Sequence, residues 1–399
     1  MNRIDELIKE YCPDGVEIRC LEDCCNLLDK KRKPVTKASR EAGEYPYYGA
    51  NGIQDYVSNY IFDGTFVLVG EDGSVITKSG TPVVTWAEGK IWVNNHAHII
   101  EEKEGVMLRY LYHYIQTIDV TSLIHGNIPK LTGKDFKALK IAVPPLEIQR
   151  EIVRVLDSFT LLTAELTAEL TARKKQYDFY RNKLLTHNKE YPMKSLADLG
   201  KWAGGKTPAM AEKSFWEGGT IPWISSKDMK VSTLADTQDH ITEKAINEAS
   251  MTLFPENSIA IVTRSGILKH TFPVAYVPFK ATINQDIKIL VVNKGVLPRY
   301  AFHVIQGKGQ DILIKTKKQG GTVDSLDFQK VLAYKVPVPP LDVQERLVQV
   351  LDNFESICTD LNIGLPAEIE ARQKQYVYYR DLLLTFADTG STLVTDRQT

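Results

Sequence analysis

One stretch of the chain has the residues of a phosphate-binding loop. Gly200-Lys201-Trp202-Ala203-Gly204-Gly205-Lys206-Thr207 matches the spacing Gly-x-x-x-x-Gly-Lys-Thr, in which backbone N–H groups cradle phosphates and the lysine neutralises them. That chemistry needs a buried strand before the loop and a helix after it. Ser195-Leu196-Ala197-Asp198-Leu199 reads poorly as a strand, and Pro208 with the polar stretch 210–215 makes a weak helix. No apolar strand ending in a magnesium-binding Asp is evident. A second candidate is Asp72 with Glu88-Gly89-Lys90, the acidic pair plus lysine of a metal-dependent nuclease. There the carboxylates hold Mg²⁺ and the lysine lies near the attacking water. Glu88-Gly89, however, sits between two strand-like runs and reads as a hairpin turn. His96 and His98 fall on one face of a strand with no identifiable third ligand. Cys12, Cys20, Cys24 and Cys25 crowd the N-terminus with no His nearby, and Cys358 stands apart. Adjacent Cys24-Cys25 is awkward for tetrahedral zinc, so these read as reduced, partly buried thiols. The Asn-Pro-Pro-aromatic motif of an amino-methyltransferase is absent. The chain therefore offers no catalytic, cofactor-binding or metal-binding residues, and we expect it to hydrolyse neither ATP nor DNA.

What the chain does offer is a duplication. Val143-Pro144-Pro145-Leu146-Glu147-Ile148-Gln149 returns as Val338-Pro339-Pro340-Leu341-Asp342-Val343-Gln344, and Val155-Leu156-Asp157-Ser158-Phe159 as Val350-Leu351-Asp352-Asn353-Phe354, both 195 positions on (143 to 338). Arg173-Lys174-Lys175-Gln176-Tyr177 returns as Arg372-Gln373-Lys374-Gln375-Tyr376, 199 positions on (173 to 372), and so does Tyr180-Arg181 as Tyr379-Arg380. So long a period is no solenoid repeat. It is a duplicated domain plus a duplicated helix, with pseudo-two-fold symmetry built in. The length of 399 residues accommodates two or three cores. Apolar content of 43% and charged content of 25% suit a globular chain, and no run approaches a membrane span. The start, Met1-Asn2-Arg3-Ile4, is no signal peptide, so a cytoplasmic location is expected. A net charge of −1 requires any nucleic-acid contact to rest on locally clustered cations.

The segments after each Val-Pro-Pro-Leu read as long helices. Ile148, Ile152, Val155, Phe159, Leu162, Leu166 and Leu170 recur in steps of three and four, a coiled-coil seam, and the prolines suit a first turn. The second copy runs Val343, Leu347, Val350, Phe354, Ile357, Leu361, breaks at a C-cap Gly364 before Leu365-Pro366, and resumes to about Leu384. At ~1.5 Å per residue each copy spans about 60 Å, and packing of one helix on the other is the expected way to bury both seams. The first helix also repeats Thr163-Ala164-Glu165-Leu166 as Thr167-Ala168-Glu169-Leu170, which reads as an adjustable spacer.

The remaining blocks are rich in short strand-like runs, with short helices expected near 106–116, 243–248 and 298–306. They read as diverged copies of one α+β fold. Gly126-Asn127-Ile128-Pro129-Lys130-Leu131 matches Gly321-Thr322-Val323-Asp324-Ser325-Leu326, Val67-Leu68-Val69-Gly70-Glu71-Asp72-Gly73 matches Ala260-Ile261-Val262-Thr263-Arg264-Ser265-Gly266, and Asn94-Asn95-His96 matches Asn284-Gln285-Asp286. The expected order is a first domain 1–142, a spacer helix 143–187, a second domain 188–337, a second spacer 338–386 and a disordered tail 387–399.

This arrangement resembles the specificity subunit of type I restriction-modification systems, and the Thr-Ala-Glu-Leu doublet resembles its IC branch. The resemblance covers nearly the whole chain. Beside the repeated phrases it rests on Tyr45-Pro46-Tyr47-Tyr48-Gly49-Ala50-Asn51-Gly52, Gly204-Gly205-Lys206-Thr207-Pro208 and Ile221-Pro222-Trp223-Ile224-Ser225. It implies two mixed α/β target recognition domains joined by two long antiparallel spacer helices. Each domain would read half of a bipartite, asymmetric double-stranded DNA site. The spacers would fix the gap and carry two modification subunits, which hold S-adenosylmethionine and methylate adenine. Up to two ATP- and Mg²⁺-dependent restriction (translocase) subunits would complete the nuclease. The rival readings are a self-sufficient ATPase or nuclease, and a coiled-coil adaptor without DNA.

Under that resemblance the DNA contacts fall on loop residues able to read base edges or phosphates. In the first domain these are Tyr47, Tyr48, Asn51, Asn94, Asn95 and Lys130. In the second they are Lys227, Arg264, Ser265, Lys269, Asn284, Gln285 and Lys317; each alone reads equally as a solvated loop residue or a fold-stabilising hydrogen bond, Asn94 and Asn284 above all. Lys30-Lys31-Arg32-Lys33 and Lys315, Lys317, Lys318 read as phosphate-facing patches or as ordinary solvated faces.

Overall fold

A computed structural model describes residues 3–186, 191–318, 323–360 and 362–385. The expected tail, 387–399, lies outside them, as do Gly321 and Thr322 of the matched loop. The fold is mixed helix and sheet, in two compact units: Met1–Leu166 with the chain from Glu368, and Thr167–Ala367. The units cut both spacers in the middle, so each unit takes part of its helical layer from the other copy of the repeat.

In the first unit six strands lie in the order Asn26–Leu27, Ala97–Glu101, Phe62–Gly70, Val84–Val93, Ala42–Gly49, Gly52–Val57. All neighbours are antiparallel except Ala42–Gly49 beside Val84–Val93, which runs parallel with Tyr48 opposite Val93. The alternation of a strand sends Val67 and Val69 to one core and Phe66 and Leu68 to another. In the second unit the same sheet is split. Four strands run Gly200–Gly204, Ile287–Val292, Ser258–Val262, Val274–Val277, and three run Asp239–Ile241, Ile221–Ile224, Thr282–Ile283. The registers coincide: Val69 faces Val84 as Ile261 faces Val274, and Tyr48 faces Val93 as Ile224 faces Ile283. The single strand Val84–Val93 thus corresponds to two, interrupted after Val277 by Pro278, which lacks the N–H a ladder needs.

The hairpin expected at Glu88-Gly89 does not form. Both residues lie inside the Val84–Val93 strand, with Gly89 opposite Gly64. Gly89 has φ +78° and Gly64 φ +154°, so the turn signal is absorbed as a local irregularity of a continuous ladder. The expected short helices form at Leu108–Ile115, Glu243–Glu248 and Pro298–Thr316, the last extending well past its expected end.

The first long helix is Leu146–Thr186, and the second is broken into Leu341–Thr359 and Leu365–Leu384. Gly364 is not the expected left-handed cap. The Leu341–Thr359 helix closes at Asp360 in extended conformation. Gly364 is needed because a Cβ there would stand 2.6 Å from the Asp360 carbonyl oxygen and 2.7 Å from that of Ser356. The seam also divides differently from expectation. Ile148, Ile152 and Leu156 are buried in the first unit's own core, together with Leu383 and Leu384. Beyond them Phe159 stacks on Tyr379 at 5.2 Å, one helix against the other. In the second unit Tyr177 and Leu185 join Leu351 in the core, and Tyr180 stacks on Phe354.

The repeated phrases are the joints of the two units. Gln149 is fully buried; its Oε1 accepts from Met107 N–H (2.9 Å), and its Nε2 donates to the carbonyls of Gly105 (3.1 Å) and Pro144 (2.8 Å). Gln344 does the same with Leu297 N–H (2.9 Å), Gly295 (3.0 Å) and Pro339 (2.8 Å). Two turns further, Asp157 binds Arg109 (2.7 Å) and buried His113 (2.8 Å), and the Tyr376 hydroxyl donates to His113 Nδ1 (2.9 Å). Asp352 binds Arg299 and His303 (2.6 Å), whose Nδ1 faces the Tyr177 hydroxyl at 3.3 Å. Each tyrosine comes from the far end of the other repeat's helix, which explains why the Lys-Gln-Tyr phrase recurs.

Candidate nucleic-acid interface

Two turns on the shared frame define the rim of each unit. In the first, the strand Val84–Val93 ends at Asn94, which is 2% exposed. Asn94 N–H donates to the Tyr48 carbonyl (3.1 Å), and its Oδ1 accepts from His96 N–H (2.8 Å). Asn284, 7% exposed, repeats this: its N–H donates to the Ile224 carbonyl (3.0 Å), and its Oδ1 accepts from Asp286 N–H (3.0 Å). An asparagine amide that mimics a backbone turn is what each position requires.

Four of the expected contacts thus lie in the frame rather than on the rim, two of them, Asn94 and Asn284, in the structural role that their sequence also allowed. Asn94 and Asn284 are spent on the turn and buried. Tyr47 is 1% exposed, with its hydroxyl bonded to the backbone of Val35, and Tyr48 is buried among Phe62, Leu68 and Ile91. A fifth, Lys317, braces its own unit: Nζ pairs with Asp324 (3.0 Å) and donates to the Leu268 carbonyl (3.3 Å). Arg32 leaves the basic patch likewise, binding Glu71 and the Ala97 carbonyl at 2.6 Å each. Lys30, Lys31 and Lys33 remain exposed, whereas Lys315 pairs with Asp311.

The remaining expected residues do lie on the rim. Asn51 and Asn95 are exposed, and half-exposed Lys130 pairs with Glu71 at 3.2 Å. Asn51 and Lys130 line a cleft of about 510 Å³ with Gln54, Asp72 and His96, three residues that sequence reasoning did not select for contact. His96 Nδ1 and Asp72 are directly paired. In the second unit Lys227, Arg264, Lys269 and Gln285 are exposed. Lys227 faces Asp239 at 3.3 Å and Gln285 accepts from the Thr207 hydroxyl, while Arg264 and Lys269 have no side-chain partner among the described residues. Ser265 caps the turn Gly266–Lys269, its Oγ accepting from Ile267 N–H at 3.5 Å.

The hydrogen bonds also shift one sequence match by a residue. Leu131 N–H donates to the Glu71 carbonyl and Leu326 N–H to that of Thr263, both at 2.9 Å. Asp72 bridges Lys130 as Arg264 bridges Ser325. Asp72 therefore corresponds to Arg264, Glu71 to Thr263, His96 to Asp286, and, three residues past the paired strands, Asn51 to Lys227. Gly73 occupies the place of Ser265, not of Gly266 as the sequence suggests: their N–H groups bond the carbonyls of Pro129 and Asp324. On one frame the rim has changed charge type at nearly every position.

The rejected chemistry stays apart in space. Gly200–Gly204 is a strand paired along its length with Ile287–Val292, and Lys206 N–H donates to the Ile283 carbonyl (3.0 Å), so the backbone is not curled round a phosphate. Glu88 pairs opposite Thr65, and Asp72 lies seven residues further along, about 20 Å away. His98 is buried between Asp29 (2.6 Å) and the Leu131 carbonyl (3.1 Å), whereas exposed His96 pairs with Asp72. Among the described residues two clusters have ligand-like spacing, Asp29/Glu71/His98 and His303/Asp352/Glu355. Arg32 and Arg299, respectively, already stand where a cation would bind. Burial alone would raise the Asp29 carboxyl, but the His98 hydrogen bond and Arg32 hold it below the usual range.

The duplicated mixed fold with this rim belongs to a known class. Residues 13–173 and 188–371 match the family described as the type I restriction modification DNA specificity domain, and the chain belongs to that family. It is 45% identical over 288 residues to the type I restriction enzyme EcoR124I/EcoR124II specificity subunit of Escherichia coli, covering 70% of this chain and 71% of that one. It is 34% identical over 386 residues to a putative type I restriction enzyme specificity subunit of Haemophilus influenzae, covering 93% and 96%. The fold is similar to the crystal structure of a type I S subunit from M. genitalium (TM-score 0.52, 16% identity, 94% of this chain and 96% of that one). It is also similar to a chain from a study of type I complex assembly and conformational transition (TM-score 0.54, 13% identity, 95% and 98%).

Proposed function

We propose that this chain is the non-catalytic DNA-reading subunit of a type I restriction-modification complex, each unit reading one half of a bipartite, asymmetric double-stranded site. The observation that carries this reading is the frame kept twice with its rim residues exchanged. Such a pair of surfaces suits two different half-sites. Of the long helices, the first runs unbroken through Thr163–Leu170, which suits a spacer. In this reading they also hold two modification subunits and up to two restriction (translocase) subunits. S-adenosylmethionine, ATP and Mg²⁺ belong to those partners, and the complex works in the cytoplasm. No helix among the described residues is long and apolar enough to cross a membrane.

The test is an exchange of residues 188–337 for the matching block of a relative, read out by mapping methylated sites in cells. One half of the recognised sequence should change and the other should persist. A change in both halves, or in neither, contradicts the reading.

A further inference from the structure

Resting on that DNA-reading role, we propose that the first unit's cleft reads an adenine edge in the major groove, with Gln54 as donor and Asp72 as acceptor, and that Arg264 reads guanine at the corresponding position of the second unit. The Gln54 amide is oriented from below. Buried Asn94 gives its oxygen to His96 N–H, so its Nδ2 donates to Gln54 Oε1 (3.3 Å). The oxygen of Gln54 is thereby occupied, and its Nε2 remains to donate. Gly49 makes the room, because a Cβ there would fall on the Gln54 amide. Asp72 is held by His96 through one carboxylate oxygen. Its other oxygen accepts no hydrogen bond among the described residues.

The cleft thus offers a donor and an acceptor. Adenine presents the complement, N7 as acceptor beside the N6 amino donor, whereas guanine presents two acceptors that a carboxylate repels. Cytosine would leave the Gln54 amide unpaired, and thymine offers no donor to Asp72. Arg264 inverts the polarity: a guanidinium only donates, which suits guanine O6 and N7.

The experiment uses the complex purified from its host through a tag on this chain, selecting duplexes from a random-sequence pool. Wild type should enrich a two-part site with adenine at one fixed position of the first unit's half. Enrichment of no sequence would overturn the DNA-reading role itself. Asp72→Asn keeps shape but adds a donor, so that position should admit guanine, its discrimination falling about 10-fold or more. The other half should be unchanged. Independently of any variant's folding, 7-deazaadenine at that position, lacking N7, should weaken wild-type binding about 10-fold, and Gln54→Ala should be indifferent to it. An unchanged Asp72→Asn preference, relaxation at a non-adenine position, or wild-type tolerance of 7-deazaadenine would each overturn the assignment while leaving the DNA-reading role intact.

Discussion

The two units agree where they join the helices and disagree where they face outward. At the joints, Gln149 and Gln344 make the same three hydrogen bonds, and Asp157 and Asp352 bind the same Arg-His pair. Even the ring under the arginine is kept in place: Arg109 lies 4.6 Å from Trp86 and Arg299 4.8 Å from Tyr276. At the rim, Asp72 corresponds to Arg264, His96 to Asp286 and Asn51 to Lys227. A buried polar joint tolerates little change, because each lost partner leaves another group unsatisfied. A rim side chain in contact with solvent is freer to change, because water can replace a lost partner. The comparison separates what holds this chain together from what it reads.

The largest effect should come from breaking a joint. Gln344→Ala removes the partner of one half-buried N–H and two carbonyls, and Gln149→Ala does so in the other unit. Each should cost about 3 kcal/mol or more. Denaturant unfolding with hydrogen exchange should locate each loss in its own unit. A cost near that of a surface change would show that the joints are not equivalent supports.

A third Thr-Ala-Glu-Leu copy after Leu170 should leave both half-sites unchanged. Four helical residues add about 6 Å and turn the helix only ~40° past a full turn. At ~3.4 Å per base pair, the unspecified gap should lengthen by one to two pairs. Methylation mapping reads this, and an unchanged gap would assign the spacing to another element.

The smallest effect is a pH slope in the first unit. Burial, partly offset by the Asp157 hydrogen bond, lowers the His113 pKa below its ordinary value. Folded His113 therefore binds fewer protons than the unfolded chain. Its contribution is full above about pH 6.5 and falls as pH drops through that value toward the lowered one. Burial would raise Asp157, but His113 and Arg109 hold it low, so its contribution is lost in the same direction below about pH 3.9. Thermal unfolding between pH 5 and 8 should show the first slope, and His113→Asn should flatten it.

Much of this architecture was legible in the chain. Repeated phrases, seam spacing and prolines placed the long helices, because those signals are local. The exchange of helix ends was not legible: His113 meets Tyr376 across 263 positions, and no neighbouring residue announces it. Tyr47 and Tyr48 looked like rim residues beside Gly49, but strand pairing with Trp92 and Val93 fixes them in the frame. In the sequence Asp72 pairs most readily with Glu88, as a metal site. Its true neighbour, His96, is brought to it only by strands that meet far along the sequence.

The central claim is that each rim reads its own half-site. It is tested most directly by measuring Arg264→Ala in the assembled complex on duplexes altered one base pair at a time. The account predicts a loss of about 1–3 kcal/mol of discrimination at one position in one half only. Uniform weakening across all sequences, or loss in both halves, would contradict it.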